Sequence, residues 1–306
     1  MNNLKSIAAR SMATKLIAAN LVVYLLVLVA SLVNFLMASP FDIEGTVIEY
    51  LSVPASLSKL ATLFWTPFTY MFLHTSFWHI LGNMLWLYFL GVVFLSVFDG
   101  RRMLAVYILG GLSGALFYVA AYNLFPAFES ALPVSSALGA SAAVSAIVIA
   151  VCVYKPHEKL YFFGILPIEL KWLGILYVLF DLFQIVGNNP GGHISHLGGA
   201  AFGAAFALCL KNGKDITQWF CSLTDSLVSW FGNTSSPKRP KMKVSYTNKG
   251  QNVEYTEVTT VSDEEFNRRK HDENEKIDRI LEKISKSGYD NLTKEEKEFL
   301  FRASRK

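Results

Sequence analysis

The sequence predicts an all-α membrane protein, in which a bundle of six transmembrane helices is followed by a small helical soluble tail. Apolar residues make up 52% of the 306-residue chain, and they form several runs close to the roughly 20 residues that span a bilayer as a helix. Charges are concentrated near the end of the chain: residues 16–210 carry 6 Lys and Arg and 8 Asp and Glu, whereas residues 211–306 carry 19 and 16. This distribution excludes a single globular core and a disordered chain.

Cysteine content and net charge exclude two further classes of protein. The three cysteines have neither the number nor the spacing of a disulfide framework or a thiolate metal site. A formal net charge of +4 is too small to indicate a nucleic-acid partner. We therefore expect neither a secreted disulfide scaffold nor a nucleic-acid-binding protein.

The apolar runs place the six transmembrane helices at residues 16–37, 78–97, 102–122, 141–154, 170–187 and 193–210. The fourth helix is short, which is acceptable for a helix surrounded by other helices. The first is too long for a signal-peptide core and is interpreted as a retained span.

The basic residues indicate the orientation of the bundle. In a six-span topology, the basic residues near the spans fall on one side of the membrane, with Lys59 as the exception. Those on the common side are Lys5, Arg10, Lys15, Arg101, Arg102, Lys155, Lys159, Lys171, Lys211 and Lys214. By the positive-inside rule, both termini are cytoplasmic and residues 38–77 form a long external segment. No organelle targeting segment is evident, which favours a bacterial inner membrane.

The predicted domains follow from these boundaries. They are a cytoplasmic N-terminus (1–15), the six-helix membrane domain (16–211), an interfacial amphipathic helix (212–232), a flexible linker (233–261) and a helical cytoplasmic tail (262–306). Capping boxes at Ser262 and Thr293 open two predicted tail helices, at about 263–286 and 294–303. Because a hairpin of this size is marginal alone, we expect it to dock on a partner, another copy or the membrane domain.

Four of the six histidines lie at the outer ends of spans two and six: His74, His79, His193 and His196. Ionisable groups at membrane depth are candidate site residues, although each could instead be a satisfied interhelical histidine. His79 and Asn83 are four residues apart on one helix face, so both can direct N–H donors at a developing oxyanion. Asn is a poor zinc ligand and no zinc-protease Glu follows a His, so no metal or cofactor is predicted.

Ser141 begins span four in the sequence Gly139-Ala-Ser141-Ala. It could be only an N-cap. However, the small neighbouring residues leave room for another backbone or a substrate, and its N–H lies at the positive end of a helix.

Span six carries a small-xxx-small face at Gly199 and Gly203, which predicts close packing on another helix. If that helix is span four, His196 meets Ser141 and can act as its general base. No outer-side carboxylate has an obvious spacing to orient the imidazole, so the pattern predicts a Ser–His dyad. Asp181 and Gln184 in span five are interpreted as interhelical hydrogen-bonding residues.

These groups together resemble the rhomboid family of intramembrane serine proteases. The resemblance covers about residues 60–210, through His74, His79 and Asn83, then Gly-x-Ser, then His-x-Gly-Gly-x-x-x-Gly. It implies Ser141 as nucleophile, His196 as base, and an oxyanion hole made by the Ser141 N–H with His79 and Asn83. It also implies structural support from His74, Gly139, Gly199 and Gly203, and assigns no role to His193.

The sequence departs from the family pattern at three points. Ala142 replaces the commonest Gly, and Trp65-Thr66 stands where many members have Trp-Arg. Ser145 stands where many members carry a tyrosine that packs against the catalytic histidine, so another group must fill that space.

The resemblance implies an endopeptidase that cleaves in or near the transmembrane segments of membrane-protein substrates, which enter laterally between spans two and five. Its expected partners are these substrates and the lipid bilayer. The alternative is a non-catalytic rhomboid-like protein that binds and escorts transmembrane segments, with Ser141 as a helix cap. A transporter is not favoured, because neither internal repeats nor a line of ionisable residues crosses the spans.

Overall fold

The computed structural model describes residues 11–162, 166–187, 189–231, 279–280, 282–284 and 292–303. The chain divides into two compact units, Met1–Ser236 and Pro237–Lys306. In the first unit the helices are α1 (Met12–Leu36), α2 (Ile43–Leu51), α3 (Leu57–Thr62), α4 (Thr66–Thr69), α5 (Phe77–Val97), α6 (Gly100–Leu124), α7 (Ser141–Tyr154), α8 (Leu170–Gln184), α9 (Pro190–Lys211) and α10 (Gln218–Phe231), with 3-10 turns at Tyr70–Phe72 and Pro126–Phe128. The strands are β1 (Val53–Pro54), β2 (Ser136–Ala137), β3 (Lys159–Phe162) and β4 (Leu166–Glu169), and α11 (Lys294–Ala303) lies in the second unit.

The predicted class, an all-α membrane bundle, is confirmed. Helices occupy all six segments predicted to span, and α1, α5, α6 and α9 are long and apolar enough to cross a membrane. The other two, α7 and α8, have only 14 and 15 residues. The two short β-sheets were not predicted, because strands of two or four residues are too short to show a clear alternating pattern.

Helix α7 lies at the centre of the bundle, in contact with α5, α6, α8 and α9. Every residue from Ala142 to Cys152 is buried. Small residues on both sides explain this close packing: a Cβ on Gly199 of α9 would overlap the carbonyl oxygen of Ala142, and one on Gly203 would overlap that of Ala146. The partner of the small-residue face on α9 is therefore α7.

The segment between α1 and α5 is tied to the chain just before α7. Strand β1 pairs antiparallel with β2, with Val53 opposite Ala137 and Pro54 opposite Ser136. Asn123 of α6 strengthens the tie, since its Nδ2 donates to the Ala55 carbonyl at 2.8 Å. These contacts fix the position of the residues that lead into Ser141.

Helix α10 is amphipathic, and two ion pairs anchor it and the segment just before it to the first turn of α6. Arg101 contacts Asp225 at 2.7 Å, and Arg102 Nε contacts Asp215 Oδ2 at 2.8 Å. Trp219, Leu223 and Leu227 remain exposed, as suits a helix lying in a membrane interface.

In the second unit, α11 begins at the predicted capping box. The Thr293 N–H donates to Glu296 Oε2 at 2.8 Å, and the Glu296 N–H donates to Thr293 Oγ1 at 3.3 Å. Ile280 and Leu292 are buried. The predicted capping box at Ser262, the linker 233–261 and residues 1–10 lie outside the described residues.

Candidate active site

Ser141 is the first residue of α7, and the N-cap position belongs to Ala140. The interpretation of Ser141 as an N-cap is therefore wrong. The first N–H groups of a helix have no intrahelical partner and carry partial positive charge. The backbone N–H of Ser141 thus lies where a developing oxyanion would be stabilised.

Gly139 holds the turn that leads into α7 and makes room for His79. Its φ of +120° is a conformation that residues with a Cβ rarely adopt. A Cβ at this position would also lie 2.7 Å from Cε1 and 2.8 Å from Nε2 of the His79 ring. The glycine therefore allows the imidazole of α5 to reach the N-terminus of α7.

His74 supports the same turn through a hydrogen bond. It is 1% exposed, and its Nε2 accepts a hydrogen bond from the Ala140 N–H at 3.4 Å. Its ring lies edge-on to that of His79, with 5.0 Å between centroids. Burial, and secondly the charge of His79, lower the pKa of His74 to about 4, so the ring is neutral at physiological pH.

Asn83 is buried one turn after His79 on α5. Its Nδ2 donates to the His79 carbonyl of its own helix at 2.9 Å. An amide nitrogen has two N–H donors, so the second remains for another acceptor. Asn83 and His79 both line the cavity that contains Ser141.

His196 of α9 is oriented by a carboxylate that the sequence did not predict. Its Nδ1 lies 2.8 Å from Oδ1 of Asp181 on α8, and Nδ1 of His193 lies 2.7 Å from the same oxygen. Asp181 is 2% exposed. The expectation that no carboxylate orients this imidazole is therefore wrong, because packing of α8 on α9 joins residues whose spacing along the chain gives no signal. The interpretation of Asp181 as an interhelical hydrogen-bonding residue is correct, whereas Gln184 is exposed.

Tyr177 of α8 brings an aromatic side chain to Ser145, the position at which this sequence lacks the tyrosine of the family pattern. Its hydroxyl lies 2.7 Å from the Ser145 hydroxyl, which also donates to the Ser141 carbonyl at 2.7 Å. The Tyr177 ring meets Trp86 of α5 edge-on, with 5.7 Å between centroids. Both rings line the same cavity as His196.

The candidate nucleophile, base and oxyanion donors share one cavity of about 980 Å³ between α5, α7, α8 and α9. A second cavity of about 270 Å³ also reaches Ser141 and His79, and hydroxyl-bearing residues such as Tyr118 and Ser136 are part of its lining. Within the described part of the chain, no hydrogen bond joins Ser141 Oγ to His196. Catalytic hydrogen bonds are often long before substrate binds and shorten in the complex.

Asp181, His193 and His196 are also the described residues best placed to hold a metal ion. One ligand atom from each lies within 4.8 Å of the others. However, both imidazoles already direct Nδ1 at the carboxylate, so a metal would have to displace two hydrogen bonds. The hydrogen bonds account for this geometry without an ion.

Comparison with known proteins finds two matching families and one curated relative. Residues 61–213, which contain every candidate residue of the cavity, match the Rhomboid domain family. Residues 260–306 match a family of unknown function, DUF6576. RHOMBOID-like protein 12, mitochondrial, from Arabidopsis thaliana is 31% identical over 158 residues, which are 49% of this chain and 47% of that protein. The matched region thus spans about half the length of this curated relative.

Proposed function

The chain belongs to the rhomboid family, and from this membership and the site geometry we propose that it is an intramembrane serine endopeptidase. The observation that carries the proposal is that Ser141, His196, His79 and Asn83 line one cavity inside the bundle. Each of these groups is of the type that acyl transfer requires at its position.

The proposed reaction begins when Ser141 Oγ attacks the scissile carbonyl carbon while His196 accepts the hydroxyl proton. The oxyanion that forms accepts hydrogen bonds from the Ser141 N–H, His79 and Asn83. His196 then gives its proton to the leaving amine as the C–N bond breaks and an acyl-enzyme forms. Water, deprotonated by His196, hydrolyses the ester and regenerates the Ser141 hydroxyl.

The position of the cavity favours substrates that are themselves membrane helices. The cavity lies between α5 and α8, and its lining includes exposed apolar side chains of α8 such as Leu176 and Phe183. A helix hydrogen-bonds its own backbone, so its scissile carbonyl is reachable only where the helix unwinds. We therefore propose cleavage near small or helix-breaking residues of the substrate segment.

The topology of the chain completes the proposal. We place both termini on the cytoplasmic side of a bacterial inner membrane, because in a six-span topology the basic residues that flank the helices, apart from Lys59, fall on one side. Ser141 then faces the external side, from which the hydrolytic water enters.

The test compares cleavage of a tagged transmembrane substrate in proteoliposomes by the wild type, Ser141→Ala and His196→Ala. We expect both variants to lose cleavage. A fluorophosphonate probe should label the wild type but not Ser141→Ala. Ser96→Ala is the matched control, since Ser96 lies near the far end of α5 and donates only to the Val93 carbonyl of its own helix.

Cleavage that persists in Ser141→Ala would contradict the mechanism. Absence of both cleavage and labelling in the wild type across several substrates would favour the non-catalytic alternative, a protein that binds transmembrane segments and escorts them.

A further inference from the structure

We propose that Asp181 is a positioning residue for His196, a role in which a carboxylate of α8 holds the imidazole of the Ser–His dyad through its Nδ1. The inference rests on the proposed protease function and deepens it. Asp181 touches neither the substrate nor Ser141 in this proposal, and it acts only through the imidazole.

The geometry carries the proposal because it fixes which nitrogen of His196 is free. Asp181 Oδ1 lies 2.8 Å from Nδ1, so an ionised carboxylate, which only accepts, requires the proton on Nδ1. The lone pair of Nε2 is then available to take the Ser141 proton. When the imidazolium forms, the adjacent carboxylate stabilises its charge, as in the soluble serine proteases.

The second histidine explains how a carboxylate is tolerated at this depth. A buried charge in an apolar bundle is costly unless donors satisfy it. Asp181 has a side chain only 3% exposed, and Nδ1 of His193 meets the same oxygen at 2.7 Å. His193, to which the family pattern gives no role, thus holds the carboxylate in place for His196.

A purely structural role for Asp181 would give a different result. In that case Asp181 only joins α8 to α9, and its loss lowers stability and perturbs substrate binding together with turnover. A positioning role predicts a loss confined to kcat, because an imidazole in the wrong tautomer leaves the substrate-binding cavity intact.

The test measures kcat and KM for Asp181→Asn in proteoliposomes, with the rate of fluorophosphonate labelling of Ser141. Because the corresponding replacement in a Ser–His–Asp protease lowers kcat about 10⁴-fold, we expect a loss of at least about 100-fold with KM changed less than about twofold. Labelling should slow in parallel. His193→Gln should cost less than Asp181→Asn, because the bond to His196 survives.

Gln184→Leu is the matched control, since Gln184 is an exposed polar residue one turn further along α8. Turnover by Asp181→Asn within about threefold of this control would overturn the inference. If the wild type itself shows no Ser141-dependent cleavage, the proposed function fails instead, so the two failures are distinguishable.

A spectroscopic measurement on the wild type keeps the inference testable even if Asp181→Asn does not fold. In protein labelled with ¹⁵N-histidine, with the signals assigned by comparison with His196→Gln, we expect His196 to carry its proton on Nδ1. A neutral ring with its proton on Nε2 would overturn the positioning role.

Discussion

At the scale of single residues, the site depends on groups held in one protonation state by burial and by their partners. His74 shows this most directly, because its Nε2 must be unprotonated to accept the Ala140 N–H. Gly139 shows the complementary point, since the absence of a side chain lets His79 approach the turn. Both residues control the backbone that presents Ser141, and in our proposal neither takes part in the chemistry.

The lowered pKa of His74 predicts acid sensitivity. The pKa of His74 is about 4 in the folded protein against the ordinary 6.5 of a histidine, so the unfolded state binds more protons between these pH values. The contribution of His74 to the free energy of unfolding is therefore full above pH 6.5 and is lost as the pH is lowered towards 4. The loss expected at pH 4.5 is about 2–3 kcal/mol.

Thermal unfolding of the wild type and His74→Gln, followed from pH 7.5 to 4.5, measures this contribution. The glutamine can accept the Ala140 N–H but does not titrate, so we expect a flatter pH dependence. His157→Gln is the control, because its side chain is 77% exposed. An equally steep profile in His74→Gln would show that another group governs acid unfolding.

At the scale of elements, the contact between α7 and α9 brings the two proposed catalytic residues into one cavity. Ser141 begins α7 and His196 lies in the second turn of α9, three residues before Gly199. Their separation therefore depends on how closely the two backbones approach. Glycine at 199 and 203 permits an approach that no other residue allows, because a Cβ would overlap carbonyl oxygens of α7.

Gly199→Ala should push the two helices apart. Overpacking of a tight interface costs about 1–3 kcal/mol, and a small misplacement of the base should lower kcat by more than the stability change alone would suggest. Thermal midpoint and kcat are the measurements. Ala201→Val is the matched control, since Ala201 is exposed on the same helix. Equal stability and turnover in the two variants would contradict the packing argument.

At the scale of the whole molecule, the sequence predicts the bundle well, because a bilayer demands long apolar helices whose positions are visible in one dimension. The glycine spacing on α9 likewise predicts a close helix contact. What the sequence did not predict are contacts between residues far apart in the chain with no periodic signal. The bond of Asp181 to His196, the Tyr177 hydroxyl at Ser145 and the β1–β2 pairing are of this kind.

Two of these unpredicted contacts place polar groups of α8 against the candidate site. Tyr177 and Asp181 are four residues apart and so lie on one face of α8, where one meets α7 and the other meets α9. Other positions of α8, such as Leu176 and Phe183, are apolar and exposed and also line the cavity. If substrate enters beside α8, the helix that admits the substrate also carries the carboxylate that orients the proposed base.

If substrates enter laterally between α5 and α8, the contact between Trp86 and Tyr177 is a barrier that a substrate helix must pass. The two rings meet edge-on at 5.7 Å and join α5 to α8 on the side of the cavity. Trp86→Ala removes this contact and leaves Ser141, His196 and Asp181 in place. We therefore expect kcat/KM for a transmembrane substrate to rise several-fold, while the rate of labelling by a small fluorophosphonate stays within about twofold.

Phe89→Ala is the matched control, because Phe89 is an exposed aromatic residue one turn further along α5. A rise in both rates would indicate a change in the chemistry, and an unchanged kcat/KM would mean that substrates reach Ser141 by another route.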